Sequence, residues 1–379
     1  MSEMLAARAN RGDKVLRLEK IAIPELGSGD VLIRVASAGL APGMMKLLER
    51  GRFKHLPTTP GHEIAGTVTA VGDEVDHALL GRRVRVHPML SCGHCDYCIS
   101  DREQMCNESG MIGHAAFGSG ALKAYARYHD GGLAEYARAP AALVDVLPDN
   151  VSFDVGAKVH DLANAIRALK LASLPPSGRL VITAATGTMG TATIKFARFY
   201  GARQLVLVGR SAERLNAVRQ LAGDLHTETV ALERLDADWA QNGGLTRRLR
   251  EILPTGADAV IDYLPEGPGT AQAAAALAIG GTLVHMGGGQ LPLPFPIREI
   301  MVNCWRVVGT RGCTRTDTSA VLSLLASGDV RVDDLITHRF ALSRVNDALE
   351  ATGKRADAMW MTVVNPDAHA AADTAGVRS

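Results

Sequence analysis

The hydrophobic pattern divides the chain into three stretches. Before residue 150, short apolar segments rich in β-branched residues, such as Val31–Ala36 and Ile64–Val71, lie between glycine and aspartate residues, which predicts a β-rich region. From Ser152 to Leu171 the apolar residues recur at the spacing of one helical stripe. Beyond residue 175 the two periodicities alternate, and this alternation marks a second region of different architecture.

The alternating region predicts a doubly wound parallel sheet, because strand, helix and strand follow one another repeatedly. A further helix at Ser319–Ser327 and a short strand at Met361–Val364 follow after Gly309 and are expected to rejoin the first region. Within the alternating region the pattern predicts strands at Leu180–Ala184, Leu205–Val208, Ala259–Tyr263 and Thr282–Met286, and helices at Met189–Tyr200, Ser211–Leu221 and Ala271–Ile279.

Length and composition narrow the function. The 379 residues suggest two domains. A net charge of +1 and only 4% aromatic residues leave no basic or base-stacking surface for nucleic acid. We find no apolar run long enough to span a membrane and no apolar core of a signal peptide at the N-terminus. A small-molecule substrate and a cytoplasmic location are therefore expected.

Four of the six cysteines lie within fifteen residues. Their spacing is Cys92-x2-Cys95-x2-Cys98-x7-Cys106, and four thiolates on a short loop can close a tetrahedron around zinc. Four sulfur ligands leave no open coordination position, so the predicted zinc is structural. A chance cluster of free thiols is the alternative, and His94 inside the loop is expected to be a solvated residue rather than a ligand.

A glycine-containing turn follows the predicted strand Leu180–Ala184. It resembles G-x-G-x-x-G with alanine in the first place, and a helix after such a turn offers its N–H groups to a pyrophosphate. An ordinary turn in a parallel sheet is the alternative. The candidate cofactor-binding residues of the turn are Thr186, Gly187, Thr188, Met189 and Gly190.

The end of the next strand bears on the choice of cofactor. NAD-binding proteins usually place a carboxylate there to bind the ribose hydroxyls, whereas this chain has Gly209, Arg210 and Ser211. Arg210 can pair with a 2′-phosphate and Ser211 can donate a hydrogen bond to it, with Arg214 close by. We therefore expect NADP(H) to be preferred over NAD(H).

These features in this order resemble the medium-chain dehydrogenase/reductase superfamily, which contains the zinc alcohol dehydrogenases and the quinone oxidoreductases. The resemblance covers nearly the whole chain. It is carried by Gly61-His62-Glu63, the four cysteines, Asp130–Tyr136, Leu147-Pro148, the dinucleotide turn and Gly281–Val284.

The resemblance implies an α/β architecture with two domains. A GroES-like catalytic domain would comprise residues 1–155 and 309–365, and a Rossmann domain residues 156–308. Independently of the resemblance, residues 366–379 are small and polar and are expected to form a disordered tail. The resemblance also implies an active site in the cleft, the nicotinamide beside Met286 and Gly287, and a homodimer or homotetramer.

The chain departs from the family where alcohol dehydrogenases hold a catalytic zinc. The cysteine ligand is replaced by Ala41, the relay hydroxyl by Gly43 and the supporting aspartate by Met44. The histidine of the Gly-His-Glu motif remains as His62, and the third ligand position falls on His160.

Three hypotheses follow for the active site. The favoured one is an NADPH-dependent reductase without catalytic zinc, acting on a small carbonyl, enone or imine, in which His62, Glu63, His160 and Asp161 are the candidate catalytic residues. The second is a zinc alcohol dehydrogenase in which His62, His160 and either Glu63 or Asp161 hold the metal. The third is a non-catalytic NADPH-binding or sensor protein.

Overall fold

The computed structural model describes residues 2–293, 295–354 and 358–366, so that all of the predicted tail except Pro366 lies outside the described residues. The described residues form two compact units, one within Met1–His160 and Thr314–Ser379 and the other within Asp161–Cys313.

The first unit is built on antiparallel sheets. Strand β3 is its centre, because it pairs with β4, β9 and the last strand of the chain. The strands before residue 150 are β1 (Glu3–Arg8), β2 (Arg17–Ala22), β3 (Asp30–Leu40), β4 (Glu63–Val71), β5 (Arg83–Val86), β6 (Met89–Leu90), β7 (Gly110–Met111), β8 (Ala115–Ala116), β9 (Tyr136–Pro140) and β10 (Val144–Val146). The helices in this part are α1 (Pro42–Glu49) and α2 (Leu122–Arg127).

The register of β3 and β4 places Gly39 opposite Glu63. Val31 pairs with Val71 at one end, and Gly39 pairs with Glu63 at the other. Apolar side chains of both strands, including Ile33 and Ile64, are fully buried in the core of this unit. Glu63 therefore begins β4 at a position whose surroundings exclude water.

The long helix α3 (Phe153–Ala172) follows, as the apolar stripe predicts, and the limit between the two units falls within it. The second unit contains six parallel strands in the order β13-β12-β11-β14-β15-β16, which is the doubly wound order. They are β11 (Gly178–Ile182), β12 (Ala202–Gly209), β13 (His226–Ala231), β14 (Ala257–Asp262), β15 (Leu277–His285) and β16 (Arg306–Gly309). Its helices are α4 (Thr188–Phe196), α5 (Ala212–Arg219), α6 (Trp239–Asn242), α7 (Gly244–Ile252), α8 (Gly269–Ala274) and α9 (Ile297–Val302).

The predicted helix Ala271–Ile279 is wrong in its second half. Helix α8 ends at Ala274, and β15 already begins at Leu277, which pairs with Ala257 of β14. Pairing with the neighbouring strand outweighs the helix propensity of the alanines, because propensity is a weak local preference. The chain then turns at Gly280, which has a φ of +77°.

The last part of the chain returns to the first unit. A reciprocal capping box between Thr314 and Asp317 begins α10 (Arg315–Ser327). The chain continues with β17 (Ile336–Ala341), α11 (Val345–Lys354) and β18 (Met361–Asn365), and β18 pairs with β3. None of the described helices has the length and apolarity needed to cross a membrane.

Candidate functional site

The cysteine lobe, defined here as Cys92, Cys95, Cys98 and Cys106, gathers its four sulfurs. The Sγ atoms of Cys92 and Cys98 are 3.8 Å apart, and those of Cys95 and Cys98 are 3.6 Å apart. A tetrahedron of Zn–S bonds of about 2.3 Å has an edge of about 3.8 Å. All four sulfurs lie within 4.8 Å of one another, so the lobe has the dimensions of a zinc site.

Backbone N–H groups support negative charge on these sulfurs. The amides of Cys95 and Glu108 donate to the Sγ atoms of Cys92 and Cys106, over 3.4 and 3.3 Å. A backbone hydrogen bond from His94 is the main cause that lowers the pKa of Cys92 to about 6. The side chain of His94 itself is exposed and its Nδ1 lies 2.9 Å from the carbonyl oxygen of Cys92.

A second group of side chains, the histidine cluster, consists of His62, His114 and His160. The ring of His62 meets those of His114 and His160 edge to face, at centroid distances of 4.7 and 5.4 Å. His62 directly precedes β4, His114 lies in the turn between β7 and β8, and His160 lies on α3. The structure thus brings together two predicted residues and adds His114, for which the sequence offered no motif.

Burial dominates the electrostatics of the histidine cluster. It holds the pKa of His62 well below its ordinary value, and the charges of His114, His160 and Lys158 lower it further. Burial also lowers the pKa of His114 to about 4. The Nδ1 atoms of His62 and His114 are buried and have no hydrogen-bond partner among the described residues. At neutral pH these two imidazoles are therefore uncharged.

A buried ion pair adjoins the histidine cluster. The Nζ atom of Lys158 lies 2.5 Å from Oε2 of Glu63, and the two side chains are 1% and 0% exposed. The other carboxylate oxygen of Glu63 is 3.8 Å from Nε2 of His62. Glu63 was predicted as a site residue, but Lys158 was not, because a lysine in a helix is usually solvated.

The side chains around the replaced positions do not restore the family's metal ligands. Ala41 is buried directly before α1. A Cβ atom on Gly43 would lie 3.3 Å from Nε2 of His114, so the missing side chain leaves room for this imidazole. Among the described residues, only cysteine-containing groups bring three or more potential ligand atoms within 4.8 Å of one another. Asp161 is buried and belongs to the second unit.

The predicted dinucleotide turn lies between β11 and α4. Gly187 precedes the first residue of α4, Thr188, and Met189 follows within the first turn. A Cβ atom on Gly190 would lie 2.6 Å from backbone atoms of Ala185, so only glycine permits this close approach of helix and strand. The N-terminus of α4 accordingly offers N–H groups from a compact turn that also contains Thr186.

The end of β12 carries the residues predicted to select the cofactor. Gly209 ends the strand, Arg210 is exposed, and the Oγ atom of Ser211 accepts a hydrogen bond from the N–H of Arg214 at the start of α5. Burial lowers the pKa of Arg214, and the nearby charge of Arg210 adds to this effect.

The tertiary structure also brings a carboxylate to this place. The Oε1 atom of Glu233 accepts a hydrogen bond of 2.8 Å from the N–H of Ala212, the first residue of α5. The local sequence at the end of β12 did not indicate this acidic group, because Glu233 follows β13. Two arginines and one carboxylate therefore lie near the end of β12 and the start of α5.

The predicted nicotinamide residues lie at the end of β15. The N–H of Met286 donates to the carbonyl oxygen of Asp262, and a Cβ atom on Gly287 would lie 3.1 Å from the ring of His285. The Nδ1 atom of His285 is 2.7 Å from Oδ2 of the buried Asp262, and this contact raises the pKa of His285. His285 is one wall of a cavity of about 450 Å³, otherwise lined mostly by apolar residues such as Leu283.

Known families match both parts of the chain. Residues 27–149 match the alcohol dehydrogenase GroES-like domain, and residues 188–327 match the zinc-binding dehydrogenase family. The NAD(P) and zinc chemistry of these proteins is consistent with the turn and the cysteine lobe described above.

Individual relatives extend over nearly the whole chain. Sorbitol dehydrogenase of Macaca fascicularis is 30% identical over 347 residues, which are 89% of this chain and 90% of that protein. L-idonate 5-dehydrogenase of Vitis vinifera is 28% identical over 355 residues, which are 92% of this chain and 91% of that protein.

Solved structures share the fold. A zinc-binding dehydrogenase candidate of Sinorhizobium meliloti, solved with NADP bound, has a TM-score of 0.80 at 25% identity and covers 97% of this chain and 100% of its own. The 2R,3R-butanediol dehydrogenase of Bacillus subtilis has a TM-score of 0.81 at 24% identity, with 96% and 100% covered. The chain therefore belongs to the zinc-containing medium-chain dehydrogenase/reductase superfamily and is an oxidoreductase.

Proposed function

We propose that the protein is an NADP(H)-dependent oxidoreductase that transfers hydride between NADPH and a small carbonyl, enone or imine substrate. In this proposal the cysteine lobe holds a structural zinc, and no zinc acts in catalysis. One observation carries it: four sulfurs lie at the distances of a zinc tetrahedron, whereas among the described residues no three potential ligand atoms around His62 lie within 4.8 Å of one another.

The structural zinc would be held by Cys92, Cys95, Cys98 and Cys106. A closed shell of four thiolates leaves no position for substrate, so this metal would stabilise the loop between β6 and β7. Backbone N–H groups that already point at two of the sulfurs support this assignment.

The catalytic chemistry is assigned to neutral imidazoles. Hydride transfer to a carbonyl leaves negative charge on oxygen, and bound NADPH supplies the hydride. His62 and His114 are uncharged at neutral pH, so each can donate an N–H to an oxygen without first being protonated. His160 would share in moving the proton that completes reduction, and Glu63 would act through its contacts with His62 and Lys158. The role of Asp161 remains a prediction of the resemblance.

Cofactor preference is assigned to the end of β12. Arg210 and Arg214 would pair with the 2′-phosphate of NADPH, and Ser211 would donate a hydrogen bond. Replacing Arg210 with alanine should raise the Kd for NADPH about tenfold and leave the Kd for NADH nearly unchanged. Tighter binding of NADH than of NADPH by the unmodified protein would contradict the preference.

Glu233 is expected to weaken this preference, since its carboxylate lies at the N-terminus of the same helix. The isosteric change Glu233→Gln keeps the size of the side chain and removes its charge. The variant should bind NADPH about threefold more tightly, as measured by fluorescence titration. The exposed Glu213 on α5 supplies a control change to Gln that removes the same charge. An equal gain in that control would assign the effect to net charge rather than to Glu233.

The names of the relatives suggest a second candidate function. Sorbitol and L-idonate dehydrogenases oxidise polyhydroxy compounds by their names, so a zinc-dependent alcohol dehydrogenase with a rearranged ligand set is the alternative. His62, His160 and either Glu63 or Asp161 would then hold the metal.

Zinc per subunit separates the two functions. Protein purified without chelators should contain about one zinc if only the cysteine lobe binds metal, and a screen with enones, ketones and imines should then reveal NADPH oxidation. About two zinc ions, together with oxidation of polyols that chelators abolish, would instead establish the alternative. We also propose a homodimer or homotetramer, which light scattering would test.

A further inference from the structure

The charge of the Lys158–Glu63 pair has a consequence for metal binding. We propose that the ammonium group of Lys158 is the fixed cation of the histidine cluster and that it keeps divalent metal ions out of this cluster. This inference rests on the proposed function, in which the active site holds no catalytic zinc. It assigns the exclusion to one side chain, which no sequence motif indicates.

The pair has a site built around it. Lys158 and Glu63 are both almost completely buried. Gly39 is the cross-strand partner of Glu63, and a Cβ atom there would overlap Oε2 of Glu63 and lie 2.9 Å from Cδ of Lys158. The backbone of β3 therefore leaves the space that the two side chains occupy, and the ammonium cannot swing into solvent without a rearrangement of the core.

Charge explains why this arrangement opposes a metal. The carboxylate of Glu63 lies 3.8 Å from Nε2 of His62. It is therefore an anionic group that could help to bind a metal at this imidazole. Its charge is already balanced by Lys158. A dication at the imidazole nitrogens would meet the repulsion of the ammonium, and displacing the lysine would break a buried ion pair.

The kind of ligand in the histidine cluster makes the charge of Lys158 more important for metal binding. In the cysteine lobe four thiolates would supply the charge that attracts zinc, whereas an imidazole nitrogen brings no negative charge to a metal. Neutral imidazoles bind divalent metals well only if the local charge permits it. A single fixed cation can therefore decide whether such a cluster takes up a metal.

The test is a cobalt titration of the full-length protein with the cysteine lobe already filled with zinc. Visible absorption of Co²⁺ reports binding to nitrogen and oxygen ligands, and elemental analysis checks that one zinc stays in place. The wild type and Lys158→Arg, which keeps the cation, should bind Co²⁺ at the histidine cluster only weakly and with the same Kd. Lys158→Met should bind Co²⁺ on the order of a hundredfold more tightly than the wild type.

Lys158→Met breaks the buried ion pair with Glu63. If that variant does not fold, a second variant still tests the proposal. The double variant Lys158→Met/Glu63→Gln is neutral and nearly isosteric, and it should bind Co²⁺ about tenfold more tightly than the wild type. Cobalt binding no tighter than wild type in this double variant, or in folded Lys158→Met, would overturn the role of Lys158. Two zinc ions in the wild type as purified would instead overturn the proposed metal-free active site itself.

Discussion

The cysteine lobe and the histidine cluster contain similar numbers of potential metal ligands but organise them differently. In the lobe, Sγ atoms lie 3.6 to 3.8 Å apart and receive backbone hydrogen bonds. In the cluster, the imidazole rings pack edge to face at centroid distances of 4.7 and 5.4 Å, but among the described residues their nitrogens belong to no group of three potential ligand atoms within 4.8 Å. The type and number of ligands alone therefore do not distinguish a metal site from a set of packed polar side chains.

The two regions also differ in how charge is balanced. Three sulfurs of the lobe are partly exposed and that of Cys106 is buried. Backbone N–H groups donate to the sulfurs of Cys92 and Cys106, a setting that a zinc ion would complete. The buried histidine cluster adjoins a cation and a carboxylate, Lys158 and Glu63, which neutralise each other. The difference teaches that a protein can balance the charge of a buried carboxylate with a lysine from a separate element of the fold.

The largest effect is expected from Cys106→Ser, which removes the most buried sulfur of the lobe. Zinc content should fall from about one per chain to nearly zero, and the free energy of unfolding should drop by roughly 5 kcal/mol, because the metal is bound only in the folded state. Elemental analysis and denaturant unfolding would measure both. The exposed Cys304 supplies the control Cys304→Ser. An equal loss of zinc in that variant would contradict the assignment of the zinc to the cysteine lobe.

The buried ion pair provides the next test of the comparison. Lys158→Met should lower the free energy of unfolding by about 4 kcal/mol, because it leaves the carboxylate of Glu63 buried without its partner. The double variant with Glu63→Gln should lie within about 1.5 kcal/mol of the wild type. Denaturant unfolding monitored by circular dichroism distinguishes them. If the single and double variants lose the same stability, packing rather than charge explains the loss.

The histidine cluster should make stability depend on pH. The folded-state pKa of His114 is about 4 against an ordinary 6.5, so the unfolded chain binds this proton first as pH falls. Above pH 6.5 His114 is uncharged in both states and does not lower the free energy of unfolding. Between pH 6.5 and about 4 the free energy of unfolding should decrease by about 3 kcal/mol on account of His114. In His114→Gln this part of the decrease should be missing. A pH profile identical to wild type would contradict the burial of an uncharged imidazole.

His285 offers a contrast of opposite sign for the same experiment. Its pKa is raised by Asp262, so its contribution to stability is present below the ordinary pKa and is lost as pH rises through the raised value. The matched change His285→Gln should therefore remove stability on the acid side of the profile and leave the stability above the raised pKa unchanged.

The smallest effect concerns turnover. His160→Ala should reduce NADPH-dependent turnover by at least about tenfold, or about 1.4 kcal/mol, because it removes a group proposed to move a proton. Steady-state kinetics would measure it, with Cys304→Ser as the reference for an uninvolved surface change. Turnover within twofold of the wild type would assign His160 to packing, and the cluster would then resemble the lobe in being purely structural.

Local patterns were sufficient for most of the architecture. Alternating periodicity indicated the parallel sheet, and the cysteine spacing and the glycine turn indicated their sites. Each of these features depends on residues that are close in the chain. The exception is α8, whose alanines favour a helix up to Ile279, whereas strand pairing from Leu277 decides the outcome.

The chemistry around His62 depended on contacts between distant residues. Sequence motifs identified His62, Glu63 and His160 because a family resemblance pointed to them, but no local pattern links His114 or Lys158 to them. Lys158 lies 95 positions from its partner Glu63, and Glu233 lies 21 positions from the amide that it caps. Sequence alone thus determined the sheets, the cysteine lobe and the cofactor turn, since spacing along the chain encodes them. Only the tertiary structure decided which charges are buried together, because burial and pairing arise where separate elements pack.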